Sequence, residues 1–341
     1  MRRLLKWSVV LVVLFCAGWS AWWYTQAKGW EAGISSWLEA QRGQGWQAET
    51  SAVEVTGFPL DFNLEARDMA LADPRAGWAW TMPMLKLDSA PTTPTRYAAS
   101  LPGEKIWAVP GDRMVINSDR MEALVDLRPG LSLELRTVSA DIEAFSLAAQ
   151  SGWTAGAKVL NVNVAERDED LGPENAYDLR LTGQTIKLPK QIVAWIDPTG
   201  WLRPSVDALT IKGHAAFDEP LDRHVVEQGQ LSLRALTLRE AGFEWGKMRL
   251  VVKGAIEVDD AGYPVGKFEI QAREWRQMIR LVRNIGIIDH QTSLDIANAV
   301  EFVTALTGSG DSLSVPLNFS GRKLRIGPIA IADALRLAEP R

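Results

Sequence analysis

Cysteine is almost absent from this chain of 341 residues, since Cys16 is the only one and lies in an apolar segment near the N-terminus. A single thiol cannot form an intramolecular disulfide, so a disulfide framework is excluded. The 317 residues that follow Tyr24 contain no cysteine. They suit an oxidising compartment such as a periplasm, and a region of this length can bury enough apolar surface to be stable without disulfides.

Basic residues are outnumbered by acidic ones outside the N-terminus. The chain carries 37 Lys and Arg against 42 Asp and Glu. Three of the basic residues and none of the acidic ones lie in the first 24 positions, so the remainder has a net charge of −8. Contacts to phosphates need clustered Lys and Arg, and we therefore expect no nucleic-acid partner. A hydrophobic fraction of 47% excludes a disordered chain.

Motifs for catalysis and for metal binding are missing as well. The three histidines, His214, His224 and His290, are far apart and lack the spacing of a zinc site. The pair Gly266-Lys267 resembles part of a phosphate loop, but a strand pattern rather than a helix follows it, which favours a hairpin turn. The sequence thus predicts no catalytic residue, no metal site and no cofactor, and a protein that is not an enzyme.

Charges are missing from Trp7 to Tyr24, a run of 18 residues. A helix of that length spans ~27 Å, close to the hydrocarbon thickness of a bilayer. Arg2, Arg3 and Lys6 precede it, so we expect residues 1–24 to form a cytoplasmic tip and a transmembrane anchor in the inner membrane, with the rest in the periplasm. The alternative is a cleaved signal peptide, for which bulky tryptophans surround the only weak cleavage site.

Residues 25–45 follow as a predicted juxtamembrane helix. Trp30, Ile34, Trp37 and Leu38 fall on one face of it. Beyond Gly45 the apolar period changes to two, which is typical of antiparallel strands with one apolar face. Residues 46–341 are therefore predicted to form an extracytoplasmic β-rich domain, with a few helices near its C-terminus.

Several predicted strands offer an apolar face that could line a groove. These groove candidates are Leu60, Phe62, Leu64, Leu131, Leu133, Leu135, Leu160, Val162, Val164, Leu250 and Val252. The fold class is accordingly mainly β: an N-terminal transmembrane helix followed by a curved antiparallel sheet that forms either a groove or a sandwich.

Helical patterns occur at three places in the β-rich region. A short helix is expected from Lys190 to Ile196, and a longer one has its apolar stripe at Trp275, Met278, Ile279, Val282 and Ile285. The next helix is expected to begin at a capping box made by Thr292 and Asp295.

An internal similarity links two segments at a separation of 165 residues. Gly77, Trp78 and Trp80 correspond to Gly242, Phe243 and Trp245, and both segments read as strand, aromatic turn, strand. Either the β-rich domain contains two similar halves, or two ordinary aromatic hairpins match by their period of two.

Short ordered motifs carry a resemblance to a known family. They are Gly57-Phe58-Pro59 at a strand start, Asp73-Pro74 with Gly77-Trp78, and Pro316-Leu317 before Gly327-Pro328-Ile329. From about residue 5 to the end, the chain resembles an uncharacterised proteobacterial family of membrane-anchored periplasmic proteins, a domain of unknown function. That family in turn resembles AsmA-like envelope proteins, several of which are tied to phospholipid transport or outer-membrane assembly.

The resemblance implies a non-enzymatic cell-envelope protein that holds lipid or an envelope-assembly partner on an apolar β-sheet groove. The expected partners are the inner membrane through Trp7–Tyr24, and a phospholipid or an envelope protein. The alternative is a structural or protein-interaction module with a closed β core and no lipid ligand. An accessible apolar lining distinguishes the first from the second.

Overall fold

The computed structural model describes residues 2–130, 132–168, 173–228, 231–307, 311–320, 322–326 and 329–338. Within these ranges the chain is mainly antiparallel β-structure with five helices, which confirms the predicted mainly β class. Contacts divide the chain into two compact units. The first unit comprises Met1–Asp126 and Ala149–Ser151, and the second comprises Leu127–Ala148 and Gly152–Arg341.

The first unit is a long helix with an antiparallel sheet. Its elements are α1 (Arg2–Gly43), β1 (Gln47–Glu49), β2 (Ala52–Thr56), β3 (Phe62–Asp73), β4 (Trp78–Ala90), β5 (Thr93–Ser100), β6 (Lys105–Val109), β7 (Asp112–Asn117) and β8 (Arg120–Leu127). Strand β3 pairs with β1 and β2 on one side and with β4 on the other. The two ends of β4 then pair with β5 and β6, which are followed by β8 and β7.

Helix α1 joins the predicted anchor and the predicted juxtamembrane helix into one continuous element, because no proline interrupts the helical pattern between them. Its C-terminal half packs on the sheet. Trp23 stacks on Phe62 with ring centroids 5.4 Å apart, and its Nε1 donates a hydrogen bond to the Asp61 carbonyl oxygen at 3.0 Å. The ring is only 2% exposed, so Trp23 is part of the packing between α1 and the sheet.

The N-terminal half of α1 presents apolar side chains to its surroundings. Trp7 and the run from Val10 to Phe15 are exposed. In the described part of the chain, no helix combines the length and the apolar character that crossing a membrane requires.

The second unit is an antiparallel meander. Its elements are β9 (Leu135–Ala149), β10 (Thr154–Glu166), β11 (Ala176–Lys187), α2 (Lys190–Ile196), β12 (Ser205–Phe217), α3 (Arg223–Gln228), β13 (Leu233–Trp245), β14 (Met248–Val258), β15 (Pro264–Arg273), α4 (Trp275–Asn284), α5 (His290–Thr307), β16 (Ser312–Ser320), β17 (Lys323–Ile326) and β18 (Ile329–Asp333). Each strand from β9 to β18 pairs with the next one along the chain. The predicted helices at 190–196 and from Trp275 are confirmed.

Two predicted strand starts are wrong. Leu133 has a φ of 53° and lies in a loop, so the strand begins only at Leu135. Leu60 lies in a turn, in which its backbone N–H and that of Asp61 both donate to the Gly57 oxygen. Period-two leucines in these segments follow turn residues, and the turns extend further than the pattern indicates.

The predicted capping box and the internal repeat also differ from the structure. Asp289, not Thr292, caps helix α5, because its Oδ1 accepts the backbone N–H of Thr292 at 2.7 Å. The repeat matches unlike elements: residues 77–87 form a turn and one strand, β4, whereas residues 242–252 cross the turn between β13 and β14.

Candidate functional site: an apolar cavity in the second unit

An apolar cavity of about 620 Å³ lies in the second unit, between one face of the sheet and helices α2, α4 and α5. Every described side chain that lines it is apolar. The lining consists of Ile186, Leu188, Ile196, Val206, Leu209, Phe243, Trp245, Leu250, Ile270, Ala272, Trp275, Met278, Ile279, Leu281, Val282, Ile285, Ile287, Ile288, Ile296, Val300, Leu313, Val315 and Leu324. Its volume falls within the usual range for small-molecule sites.

The sheet side of the cavity follows from the strand register. Leu209, Phe243, Leu250, Ala272 and Leu313 are successive cross-strand partners from β12 to β16, so they form one row on the same face. Because side chains alternate along a strand, the polar residues between them point to the opposite face. This row is the floor of the cavity.

The helix side is provided mainly by α4. Trp275, Met278 and Leu281 are spaced by three residues and form its buried stripe. On the opposite side of the helix, the Arg276 guanidinium binds Glu301 of α5 and Asp311 before β16, each at 2.8 Å. These ion pairs are exposed, and their effect is to orient α4 and α5 more than to stabilise the fold.

Helix α2 is fixed beside α4 by hydrogen bonds. The Asn284 side chain donates to the Ile196 carbonyl oxygen at 2.8 Å. The buried Asp197 carboxylate accepts the Thr199 hydroxyl at 2.6 Å and the Leu202 backbone N–H at 2.7 Å. Burial alone would raise the pKa of Asp197, but these hydrogen bonds outweigh it and hold the pKa below its ordinary value.

One part of the lining reaches the surface. Ile287, in the connection between α4 and α5, lines the cavity and is 63% exposed. The lining is therefore accessible from the protein surface at this connection, which we call the opening of the cavity.

The sequence-predicted groove residues fall into both units. In the second unit, Leu250 lines the cavity. Leu160 extends the floor row by two strands, because it pairs with Gly183, which in turn pairs with Leu209. A second row on the same face runs from Val162 to Val252, and a third contains Val164. Sequence reasoning thus placed these five residues on strands whose apolar sides share one face.

The other groove candidates that the structure describes are not part of this face. Phe62 and Leu64 are buried in the first unit, where they pack near Trp30 of α1. Leu60 is exposed in its turn, Leu133 is exposed in a loop, and Leu135 is half-buried at the start of β9. Leu131 lies outside the described residues.

Sequence reasoning missed most of the lining. It recognised the apolar stripe of α4 but predicted no cavity beside it, although Ile279, Val282 and Ile285 make that stripe wide. One narrow stripe suffices for packing on a sheet, so the extra width was the available signal. Whether an open volume remains between the helices and the sheet depends on the distance between them, and no local sequence pattern encodes that distance.

The lining has consequences for chemistry. Among the described residues of the lining there is no titratable or nucleophilic side chain, so this part of the wall can hold apolar material but offers no acid, base or nucleophile. Among the residues that the structure describes, no three His, Cys, Asp or Glu side chains come together as metal ligands.

Comparison with known proteins gives one result. Residues 22–334 match a family described as an uncharacterized protein conserved in bacteria (DUF2125). No curated protein and no solved structure matches the chain. Since the match covers most of the sequence, the chain belongs to this family of uncharacterized bacterial proteins.

Proposed function

We propose that this protein is a non-enzymatic, membrane-anchored cell-envelope protein, distantly AsmA-like, that holds an acyl chain of a phospholipid in the apolar cavity of its second unit. The observation that carries the proposal is the lining, which is apolar throughout and encloses about 620 Å³. A hydrocarbon chain needs no polar partner, and its transfer from water into such a site is favourable at ~25 cal/mol per Å².

The cost of leaving the cavity empty supports an occupant. An open volume beside an apolar wall either lacks the dispersion contacts of a packed core or contains water. Water is a poor filler, since an apolar wall gives it no hydrogen-bond partners.

The sheet offers a continuation of the cavity toward β10. A Cβ at Gly183 would lie 2.9 Å from Ile186 Cδ1 and 3.1 Å from Leu160 Cδ2, so Leu160 reaches to within one residue of the cavity wall. Beside it Val162 is 37% exposed, although it lies on the apolar face. In this proposal the half-buried rows of Leu160 and Val162 form an open apolar path along which a lipid chain reaches the cavity.

The N-terminal half of α1 supports attachment to a membrane. Its exposed side chains from Val10 to Phe15 are apolar, and exposure of so many in water is unfavourable. In the proposal this half enters the inner membrane, Arg2 and Arg3 remain on the cytoplasmic side, and the chain beyond Tyr24 lies in the periplasm. A reporter fused after Arg341 should then be active only outside the cytoplasm.

Lipid analysis of the purified full-length chain tests the binding role. We expect mass spectrometry of the organic extract to find phospholipid with the wild-type protein and several-fold less with Ile287→Asp, which places a charge at the cavity opening. The matched control is Leu335→Asp, because Leu335 is 80% exposed and does not line the cavity. Equal lipid in both variants, or none in the wild type, would contradict the proposal.

The alternative of a closed structural module has one observation in its favour. Met248, Trp275 and Val300 belong to a tightly buried cluster at the cavity, as expected for an ordinary core. If the helices serve only to complete that core, the purified wild-type protein retains no lipid, and Ile287→Asp does not change the amount of lipid that co-purifies.

A further inference from the structure

A polar cleft occupies the opposite face of the sheet in the second unit. Its volume is about 790 Å³, and it crosses β10, β11, β12 and β13. It is lined by Asn163, Ala165, Asp178, Leu179, Arg180, Lys212, Arg239 and Glu240. Because strand side chains alternate, this cleft and the apolar cavity lie on different faces and are independent of each other.

The carboxylates of the cleft already have cationic partners. Glu240 accepts a hydrogen bond from Lys212 Nζ at 3.0 Å, and Asp178 accepts one from Arg239 Nη2 at 2.9 Å. Arg180 has no ion pair within the described part of the chain, and its side chain is exposed in the cleft. The lining therefore carries one positive charge in excess.

The register places that excess charge beside another cation. Arg180 is the direct cross-strand partner of Lys212 on one side and of Asn163 on the other. Like charges at directly opposite positions destabilise a sheet unless an anion lies between them. The arrangement of guanidinium, ammonium and amide around an open volume matches the donors that a phosphate group requires.

We propose that this cleft is an oxyanion site in which Arg180 and Lys212 hold a phosphate group. The phosphate belongs either to a lipid headgroup or to a free ion, since both present the same oxygens. The guanidinium of Arg180 donates two parallel hydrogen bonds, and the Lys212 ammonium adds a point charge that its bond to Glu240 only partly neutralises.

Calorimetric titration of the full-length protein in detergent tests this site with two probes, inorganic phosphate and soluble dihexanoyl phosphatidic acid. We expect binding that weakens at least about tenfold in Arg180→Ala and is partly restored in Arg180→Lys. The matched control is Arg273→Ala, which removes an exposed arginine from β15, outside the cleft. Scanning calorimetry of each variant verifies that it is folded.

The two probes identify the source of the phosphate. Arginine-dependent binding of both shows a site for the ion itself, whereas such binding of the lipid alone shows a headgroup site. No binding of either probe to the wild type, or unchanged binding in Arg180→Ala, would overturn the proposal. None of these outcomes depends on whether the apolar cavity holds an acyl chain.

Discussion

The substitution Ala272→Leu distinguishes a cavity from a packed core by the sign of its effect. Ala272 lies on the floor of the cavity, and leucine adds three carbon atoms at that position. If they enter empty space, the lipid-free protein gains ~0.8 kcal/mol per added carbon, about 2.4 kcal/mol in total. If the site is already filled by protein, overpacking instead costs ~1–3 kcal/mol.

Scanning calorimetry of delipidated protein measures this difference. For a unit of this size, ~2–4 °C of melting temperature correspond to each kcal/mol, so the transition of the second unit should rise by about 5–10 °C. The control is Ala216→Leu in the same sheet, because Ala216 is buried but does not line the cavity. It should lower the transition.

Ala272→Leu should lower the amount of retained lipid although it raises the melting temperature of the lipid-free protein. A leucine at position 272 takes up part of the volume that an acyl chain needs, so the lipid that co-purifies with the variant should decrease. A fall in the lipid-free melting temperature of Ala272→Leu, similar to that of Ala216→Leu, would refute the existence of a cavity able to accept a ligand.

Three further predictions concern stability. Trp245→Ala should lower the free energy of unfolding by ~3–5 kcal/mol, because the ring is 7% exposed and its indole N–H donates to a backbone oxygen at 2.9 Å. The control Trp195→Ala, at a residue that is 57% exposed, should lower it little. Equal losses in denaturation experiments would contradict this prediction. Gly242→Ala should disrupt the sheet, because the added Cβ would lie 1.9 Å from a backbone oxygen of the next strand. Gly33→Ala in helix α1 should instead stabilise the protein by ~0.5–1 kcal/mol, because its Cβ would meet no atom within 4 Å. Lys105 is fully buried, and burial lowers the pKa of its ammonium group. At pH values between the folded and the unfolded pKa, the unfolded state therefore binds more protons than the folded state, so the stability of the wild type should rise with pH up to the ordinary lysine range. Lys105→Met should remove that rise in denaturation experiments at a series of pH values.

The strands were predictable where apolar alternation is strict. In β15, Phe268, Ile270 and Ala272 alternate with polar residues, and the structure shows the same alternation of burial. The prediction was wrong at Leu133, where a backbone conformation with positive φ interrupts the extended chain. A hydrophobic pattern records which side chains are apolar but not whether a preceding turn has ended.

The cavity could be predicted only in part. Leu250 was among the groove candidates because its strand alternates, and the structure places it in the lining. Trp245 was not among those candidates, but its buried ring lines the same cavity. Whether an apolar residue faces a neighbour or an open volume depends on the distance between packed elements, which the apolar pattern does not record.

Photo-crosslinking with a phospholipid that carries a diazirine in its acyl chain tests the central claim most directly. The full-length protein is illuminated with this probe and its labelled peptides are mapped by mass spectrometry. We expect labels on the cavity wall, in β13 to β15 and in the apolar faces of α4 and α5. Labelling confined to the exposed N-terminal half of α1, with none on the cavity wall, would contradict it.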